Sequence, residues 1–310
     1  MSASRLAPAA RPAYHSAHLL DRSMQLSRRS GLVALAGLTA ACASSVTVPP
    51  IVPAPSGEQH VGKVVWRDLA TSDAERAKRF YGGLLGWTFT DDRNSEPRYI
   101  TILHQGVPIG GIVPLSEPQA RTFAPQWVSL LSVPDVDAAI VAGKAAGATV
   151  SWGPRDIAER GRMALLTDPQ GALVGLVTSS AGDPPDAQPT PGGWLWTEYW
   201  ADSVDAAIAF YSHLAGYERG EISLQPGRTY TVLRRDGQPR AGVVPIAFRN
   251  VRPQWLPYVF VENPAALAER VDSLGGRVLV PASSDLRGGS VAVVADPSGA
   301  PIVLQRWPPQ

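Results

Sequence analysis

Two short segments place an aromatic ring and an acid two residues apart: Trp66-x-Asp68 and Trp196-x-Glu198. Side chains alternate across a strand, so each pair shares one face if the segment is extended. An indole face stacks flat or cationic partners, and a neighbouring carboxylate pairs with a cation or accepts hydrogen bonds. On a cavity wall each pair is a binding floor. In a closed core the tryptophan is packing, and a nearby arginine or backbone donor satisfies the acid. His104, beside a Gln105-Gly106 turn, is a further candidate contact, and its counterpart in the second half is Arg235. His60 and His213 are placed by their surroundings in solvent and on an outer helix face. No Gly-x-Ser-x-Gly elbow, Walker loop or His-Glu-x-x-His helix is present.

Composition narrows the classes. The chain has 310 residues, 45% hydrophobic and 18% charged, with a formal net charge of +1. That balance suits about two folded domains. It lacks the basic footprint that nucleic acid requires. The one cysteine, Cys42, excludes an internal disulfide framework.

Cys42 ends a leader. Arg28-Arg29 precedes an apolar run over residues 31–41 that is too short to span a bilayer but suits a signal peptide. Leu38-Thr39-Ala40-Ala41-Cys42 resembles a bacterial lipobox, which implies acylation of Cys42 and cleavage before it. The alternative is a signal cut at an Ala-x-Ala-like site with Cys42 incidental. Arg28-Arg29 also resembles the start of a twin-arginine signal, although Gly31 stands where that signal has an aromatic residue. A start at Met24 would give an ordinary basic n-region. The expected plan is therefore signal peptide 1–41, proline-rich tether 42–59, first domain 60–178, linker 179–192 and second domain 193–310. The expected address is a membrane-anchored lipoprotein facing the periplasm or the cell exterior.

The elements behind the two Trp-acid pairs recur. Ala77-x-x-Phe80-Tyr81-x-x-Leu84-x-Gly86-Trp87 returns 130 residues later as Ala207-x-x-Phe210-Tyr211-x-x-Leu214-x-Gly216-Tyr217. Pro125-Gln126-Trp127 and Asp168-Pro169-Gln170-Gly171 return 128 residues later, at Pro253-Gln254-Trp255 and Asp296-Pro297-Ser298-Gly299. Residues 63–70 read as a strand. Ser72-x-x-Glu75 reads as a capping box opening a helix, with Ala77, Phe80, Tyr81 and Leu84 on one face and Gly86 as its stop. Gln105-Gly106 and Asp236-Gly237 read as hairpin turns. Asp168-Pro169-Gln170-Gly171 reads as a type I turn. Each copy contains two βαβββ modules, which makes four in the chain, an α+β fold.

Paired βαβββ modules with Phe-Tyr-x-x-Leu-Leu-Gly-Trp after the first helix and Asp-Pro-x-Gly before the last strand resemble the vicinal oxygen chelate superfamily. That group holds glyoxalases, extradiol dioxygenases and bleomycin resistance proteins. The resemblance implies that two modules roll into a cup, and that metal-dependent members place His, Gln or Glu ligands on the first and last strands of each module. Carried onto this chain, those slots hold Trp66, Val128 and Gly175 in the first copy and Trp196, Leu256 and Val303 in the second. The remaining slots, near 110–113 and 241–244, offer no His, Glu or Asp. The expectation is an envelope lipoprotein with two metal-free cups that bind a small molecule, with no cofactor. Two alternatives stand beside it. One is a lyase or dioxygenase whose divalent metal is held by Asp68, Glu198 or His104 in an unusual register. The other is a partner-binding scaffold with filled cups. Oligomeric state is left open.

Overall fold

The computed structural model describes residues 48–91, 98–225 and 228–307. Met24, Arg28, Arg29 and Cys42 lie outside the described residues.

The first module runs β1 (Val64–Thr71), α1 (Ala74–Leu85), β2 (Thr88–Asp91), β3 (Ile100–His104) and β4 (Val107–Pro114). Helix α1 buries Ala77, Phe80, Tyr81 and Leu84 and stops at Gly86, whose φ of 73° is the left-handed conformation that glycine tolerates. Its cap is Asp73, whose carboxylate accepts from the Arg76 amide, so the cap falls one residue after the expected Ser72, and it is a single side-chain cap in place of the Ser72–Glu75 box. A short helix, α2 (Glu117–Thr122), leads to the second module: β5 (Gln126–Ser132), α3 (Val136–Ala145), β6 (Thr149–Ile157), β7 (Gly161–Thr167) and β8 (Leu173–Ser179).

The second domain repeats this order. Its first half is β9 (Trp194–Ala201), α4 (Val204–Ala215), β10 (Glu218–Gln225), β11 (Arg228–Arg235) and β12 (Gln238–Pro245). Its second half is β13 (Gln254–Phe260), α5 (Pro264–Ala268), β14 (Arg277–Val280), β15 (Val291–Ala295) and β16 (Pro301–Gln305). Each domain is one eight-stranded sheet, ordered β2-β3-β4-β1-β5-β8-β7-β6 and β10-β11-β12-β9-β13-β16-β15-β14. The modules join through antiparallel pairs, β1 with β5 and β13 with β9. Trp66 and Asp68 therefore belong to one cup and Trp196 and Glu198 to the other, as expected of modules that pair within a copy.

Each sheet has a concave face and a convex face carrying the helices. The convex faces meet. Val136 and Ile140 of α3 share one apolar cluster with Ile208, Tyr211 and Leu214 of α4. Phe80, Tyr81 and Leu84 of α1 share another with Val271, Val294 and Ile302 of the second domain. The repeated landmarks converge in this interface. Trp127 donates to the Tyr81 hydroxyl, which lies 3.5 Å from Asp296. Trp255 donates to the Tyr211 hydroxyl, which donates to Asp168 at 2.9 Å. Each turn aspartate thus reaches across to the other domain's helix tyrosine. Two further contacts repeat: the Trp87 indole donates to the Gly192 carbonyl, and the Tyr217 hydroxyl donates to the Gly62 carbonyl.

The proline-rich segment before the first domain needs a correction. Residues 48–59 form neither helix nor strand, as their prolines dictate. They are not a free spacer, however. Val48, Ile51 and Val52 are buried, and the last two lie in the apolar cluster of the first cup with Trp66, Val128 and Leu130.

Candidate functional site

The first cup is built from β1 outward. Strand alternation sends Trp66 and Asp68 to the concave face and Arg67 and Leu69 to the convex one. The Trp66 indole donates to Asp68 Oδ1 at 2.9 Å, and the Tyr99 hydroxyl donates to the same oxygen at 2.6 Å. Arg160, from the turn between β6 and β7, lays its guanidinium 4.1 Å from the Trp66 ring centroid. Its Nε donates to the Pro49 carbonyl at 2.8 Å, and one Nη lies 3.4 Å from the Tyr99 hydroxyl.

The second cup carries a tryptophan, a tyrosine and an arginine in equivalent places, with a glutamate where the first has an aspartate. Trp196 donates to the Tyr230 hydroxyl at 2.8 Å, and that hydroxyl donates to Glu198 at 2.6 Å. Arg287 pairs with Glu198 at 2.5 Å. Two donors have no like counterpart in the first cup. The Tyr258 hydroxyl donates to Glu198, and the Trp200 indole does so at 3.3 Å. The equivalent first-copy residues, Leu130 and Ala70, are apolar. Phe248 stacks on Trp200 with ring centroids 5.7 Å apart.

Glycines make room for the tyrosines. A Cβ on Gly111 would meet the Tyr99 hydroxyl at 1.9 Å and Asp68 at 2.6 Å. A Cβ on Gly242 would meet the Tyr230 hydroxyl at 1.7 Å. The strand glycines therefore serve close approach. A phenol fills the space that a Cβ would take at each of them.

Electrostatics follow from burial. Desolvation raises the Asp68 carboxyl above its ordinary range, and Arg160, Tyr99 and Trp66 offset part of that. Burial and the adjacent carboxylates push the Tyr99, Tyr230 and Tyr258 hydroxyls upward. Those phenols stay protonated and donate. Burial opposes the Arg287 cation, but Glu198, Tyr258 and Tyr230 together outweigh this and hold its pKa up. The acids are thus committed acceptors within an aromatic wall.

A divalent ion needs several converging N or O ligands with free lone pairs. Each cup supplies one carboxylate, already accepting from its tyrosine and other donors. Among the described residues, no three of His, Cys, Asp and Glu converge. The donor set does not fit a resident metal ion.

Of the residues singled out in the sequence, Trp66 and Asp68 meet directly, and Trp196 and Glu198 meet through Tyr230. His104 does not join them. It abuts the interdomain linker, 3.4 Å from Thr190 Oγ1. Partial burial lowers its pKa. Tyr99, Tyr230, Arg160 and Arg287 escaped the sequence reading. A signal existed: each tyrosine stands seven residues before a hairpin-turn glycine, Gly106 or Gly237, and each arginine immediately precedes a glycine.

Comparison with known proteins gives consistent results. Residues 59–176 match the family model described as the Glyoxalase/Bleomycin resistance protein/Dioxygenase superfamily. The chain is 30% identical over 257 residues to the provisionally named glyoxylase CFP32 of Mycobacterium tuberculosis, covering 82% of this chain and 98% of that relative. It is 29% identical over 254 residues to the anthracycline biosynthesis protein DnrV of Streptomyces peucetius, covering 77% and 91%. Among solved structures, the Mn(II)-bound glyoxalase of Novosphingobium aromaticivorans aligns with a TM-score of 0.55 at 16% identity, covering 80% of this chain and 83% of that one. The 2,2',3-trihydroxybiphenyl 1,2-dioxygenase of Sphingomonas wittichii aligns with a TM-score of 0.53 at 13% identity, covering 80% and 91%. At those identities the structures speak to the fold alone.

Proposed function

The chain belongs to the glyoxalase, bleomycin resistance protein and dioxygenase superfamily, a fold that hosts unrelated chemistries, and from that premise we propose that it is a small-molecule-binding protein. Its second cup takes a flat aromatic ligand bearing a carbonyl or acidic oxygen. The observation that carries this reading is the ring of Trp196, Trp200, Tyr230, Phe248 and Tyr258 around one Glu198–Arg287 pair. Glu198 is 1% exposed and Arg287 25%, so the cation is the member a ligand oxygen reaches first. The name of the Streptomyces peucetius relative points to flat aromatic chemistry as well.

The test is titration with 8-anilinonaphthalene-1-sulfonate, a flat aromatic anion, followed by fluorescence. Losing one charge-assisted hydrogen bond costs about 1.5–3 kcal/mol. Arg287→Met should therefore weaken binding by about 10- to 100-fold. Equal affinity in wild type and variant would overturn the reading.

A glyoxalase-type lyase is the second reading, supported by the name of the mycobacterial relative, and it would require a metal site that the donor set of the cups does not supply among the described residues. Stoichiometric Mn(II) binding together with turnover of a 2-oxoaldehyde adduct would establish it over the first.

We also infer that the protein is exported and anchored in an envelope membrane through a lipid on Cys42. The lipobox-like ending at Cys42 supports this. Labelled palmitate should enter the wild type and not Cys42→Ser, and equal labelling of both would overturn it. No helix among the described residues is long and apolar enough to cross a membrane.

A further inference from the structure

Each cup holds a tryptophan, a tyrosine, an acid and an arginine, yet the arginines differ in partner. Arg287 pairs with its acid at 2.5 Å. Arg160 makes no ion pair with Asp68 among the described residues; it donates from Nε to the backbone carbonyl of Pro49. Arg160 is fully buried, and its Nη1 has no hydrogen-bond partner among the described residues. A buried cation with a spare donor is costly unless the site is shaped for an acceptor. The present occupant supplies one oxygen and two branched apolar side chains, Ile51 and Val52, laid against Trp66, Val128 and Leu130. By the repeat, the second-copy counterpart of this stretch falls near 178–187, and it does not play the same part. There Asp183 accepts from Ser132 and the His60 amide on the first domain. Among the described residues, this counterpart stretch therefore does not strap the second cup.

We propose that residues 48–53 act as a resident pseudo-ligand of the first cup, and that withdrawing them opens a second binding site for an apolar or aromatic molecule carrying an acceptor oxygen, held by Arg160. Pro49 marks where that oxygen sits, and Ile51 and Val52 mark the apolar body. The strap ends at Ser56, whose amide donates to the Ala181 carbonyl at 2.9 Å. Gly57 follows in open space, where an added Cβ would meet nothing within 4 Å. A pull on the chain upstream of residue 48 would thus be transmitted straight to the occupant. This proposal rests on the ligand-binding reading of the cups, and the measurement separates the two.

The full chain carrying Cys42→Ser, which keeps lipid out of the measurement, is titrated with 8-anilinonaphthalene-1-sulfonate beside its Ile51→Glu/Val52→Glu form. The expected result is one Arg287-dependent site in the parent and a second site in the strap variant, abolished by Arg160→Met. Hydrogen exchange over residues 48–56 reports whether the strap has left. A released strap with no Arg160-dependent site overturns the proposal. An Arg160-dependent site without any Arg287-dependent one upholds it and overturns the reading of the second cup. Should the double variant fail to fold, a protease site placed after Gly57 frees the strap from the folded parent. A synthetic peptide of residues 48–56 should then rebind the cut protein and compete with the probe for the Arg160 site. Failure to rebind or to compete overturns the proposal.

Discussion

Arg67 and Thr197 occupy equivalent positions in the two copies, and their side chains meet: Arg67 Nη2 donates to Thr197 Oγ1 at 2.7 Å across the domain interface. The contact marks the pseudo-twofold axis, and the duplication has diverged there into a donor and an acceptor. Arg67 is buried, lies 4.7 Å from the Trp194 ring centroid, and leaves its Nε without a partner. Desolvation lowers its pKa. Among the described residues no carboxylate pairs with it. Burying a cation so weakly compensated costs more than one hydrogen bond to a neutral hydroxyl and a ring contact return. The double variant Arg67→Met/Thr197→Val should therefore be more stable by about 1–2 kcal/mol, toward the low end of such replacements. Thermal unfolding checks this, and a lowered midpoint would show that the hydroxyl contact outweighs desolvation.

The two interface nodes are alike in sequence but not in strength. Asp168 accepts from Tyr199 at 2.6 Å and from Tyr211 at 2.9 Å, while Asp296 has one tyrosine at 3.5 Å. Tyr199 is the cause of the difference, because its first-copy counterpart is Leu69. Asp168→Ala strands two buried phenols and should cost about 3–5 kcal/mol, given the usual 1.5–3 kcal/mol for each charged hydrogen bond. Asp296→Ala should cost clearly less. Urea midpoints of the two variants side by side decide it, and equal losses would refute the asymmetry.

Legibility followed the range of the interactions. Trp66-x-Asp68 and Trp196-x-Glu198 stood out because strand alternation is a two-residue rule. The four modules were legible because caps, turns and helix faces are local and the repeat writes each of them twice. Tyr99 and Arg160 were not legible because they reach Asp68 and Trp66 from other strands, at sequence separations that no local rule spans. The helix cap was misplaced by one residue because Ser72 and Asp73 are both good caps, and the backbone settles on the acid. Residues 48–53 read as a spacer because prolines exclude regular structure. Exclusion from helix and strand does not stop Ile51 and Val52 from filling a cavity.

Acid should loosen the edge of the first sheet. Hydrogen bonds from Arg98, with support from Lys78 and partly opposed by desolvation, lower Asp91 to about 2. Its folded pKa lies below the unfolded value, so the unfolded state binds more protons between them. The stabilisation is fully present above about 4 and is lost as pH falls through about 2. Asp296 works in the opposite sense. Burial raises its pKa, so its contribution is present below about 4 and is lost as pH rises through the folded value. Asp91→Asn should flatten the acid limb of a stability curve measured by denaturant between pH 5 and pH 2. An unaltered limb would remove Asp91 as its source.

Gly242 tests the second cup without replacing its acid or its arginine. An added methyl would strike the Tyr230 hydroxyl at 1.7 Å and Glu198 Cγ at 2.9 Å, and the tyrosine is the group with freedom to swing away. Gly242→Ala should therefore cost about 1–3 kcal/mol as overpacking. It should also break the Tyr230–Glu198 bond and weaken 8-anilinonaphthalene-1-sulfonate binding. In a Tyr230→Ala background the nearer collision partner is gone and only the Glu198 Cγ contact remains, so the same substitution should cost less. The two changes would then be strongly non-additive, as expected for groups in direct contact. A double-mutant cycle in urea measures the coupling. Additive costs would mean that the backbone rather than the phenol sets the need for glycine, and that the tyrosine is not held over Gly242 in the way its hydrogen bond to Glu198 implies.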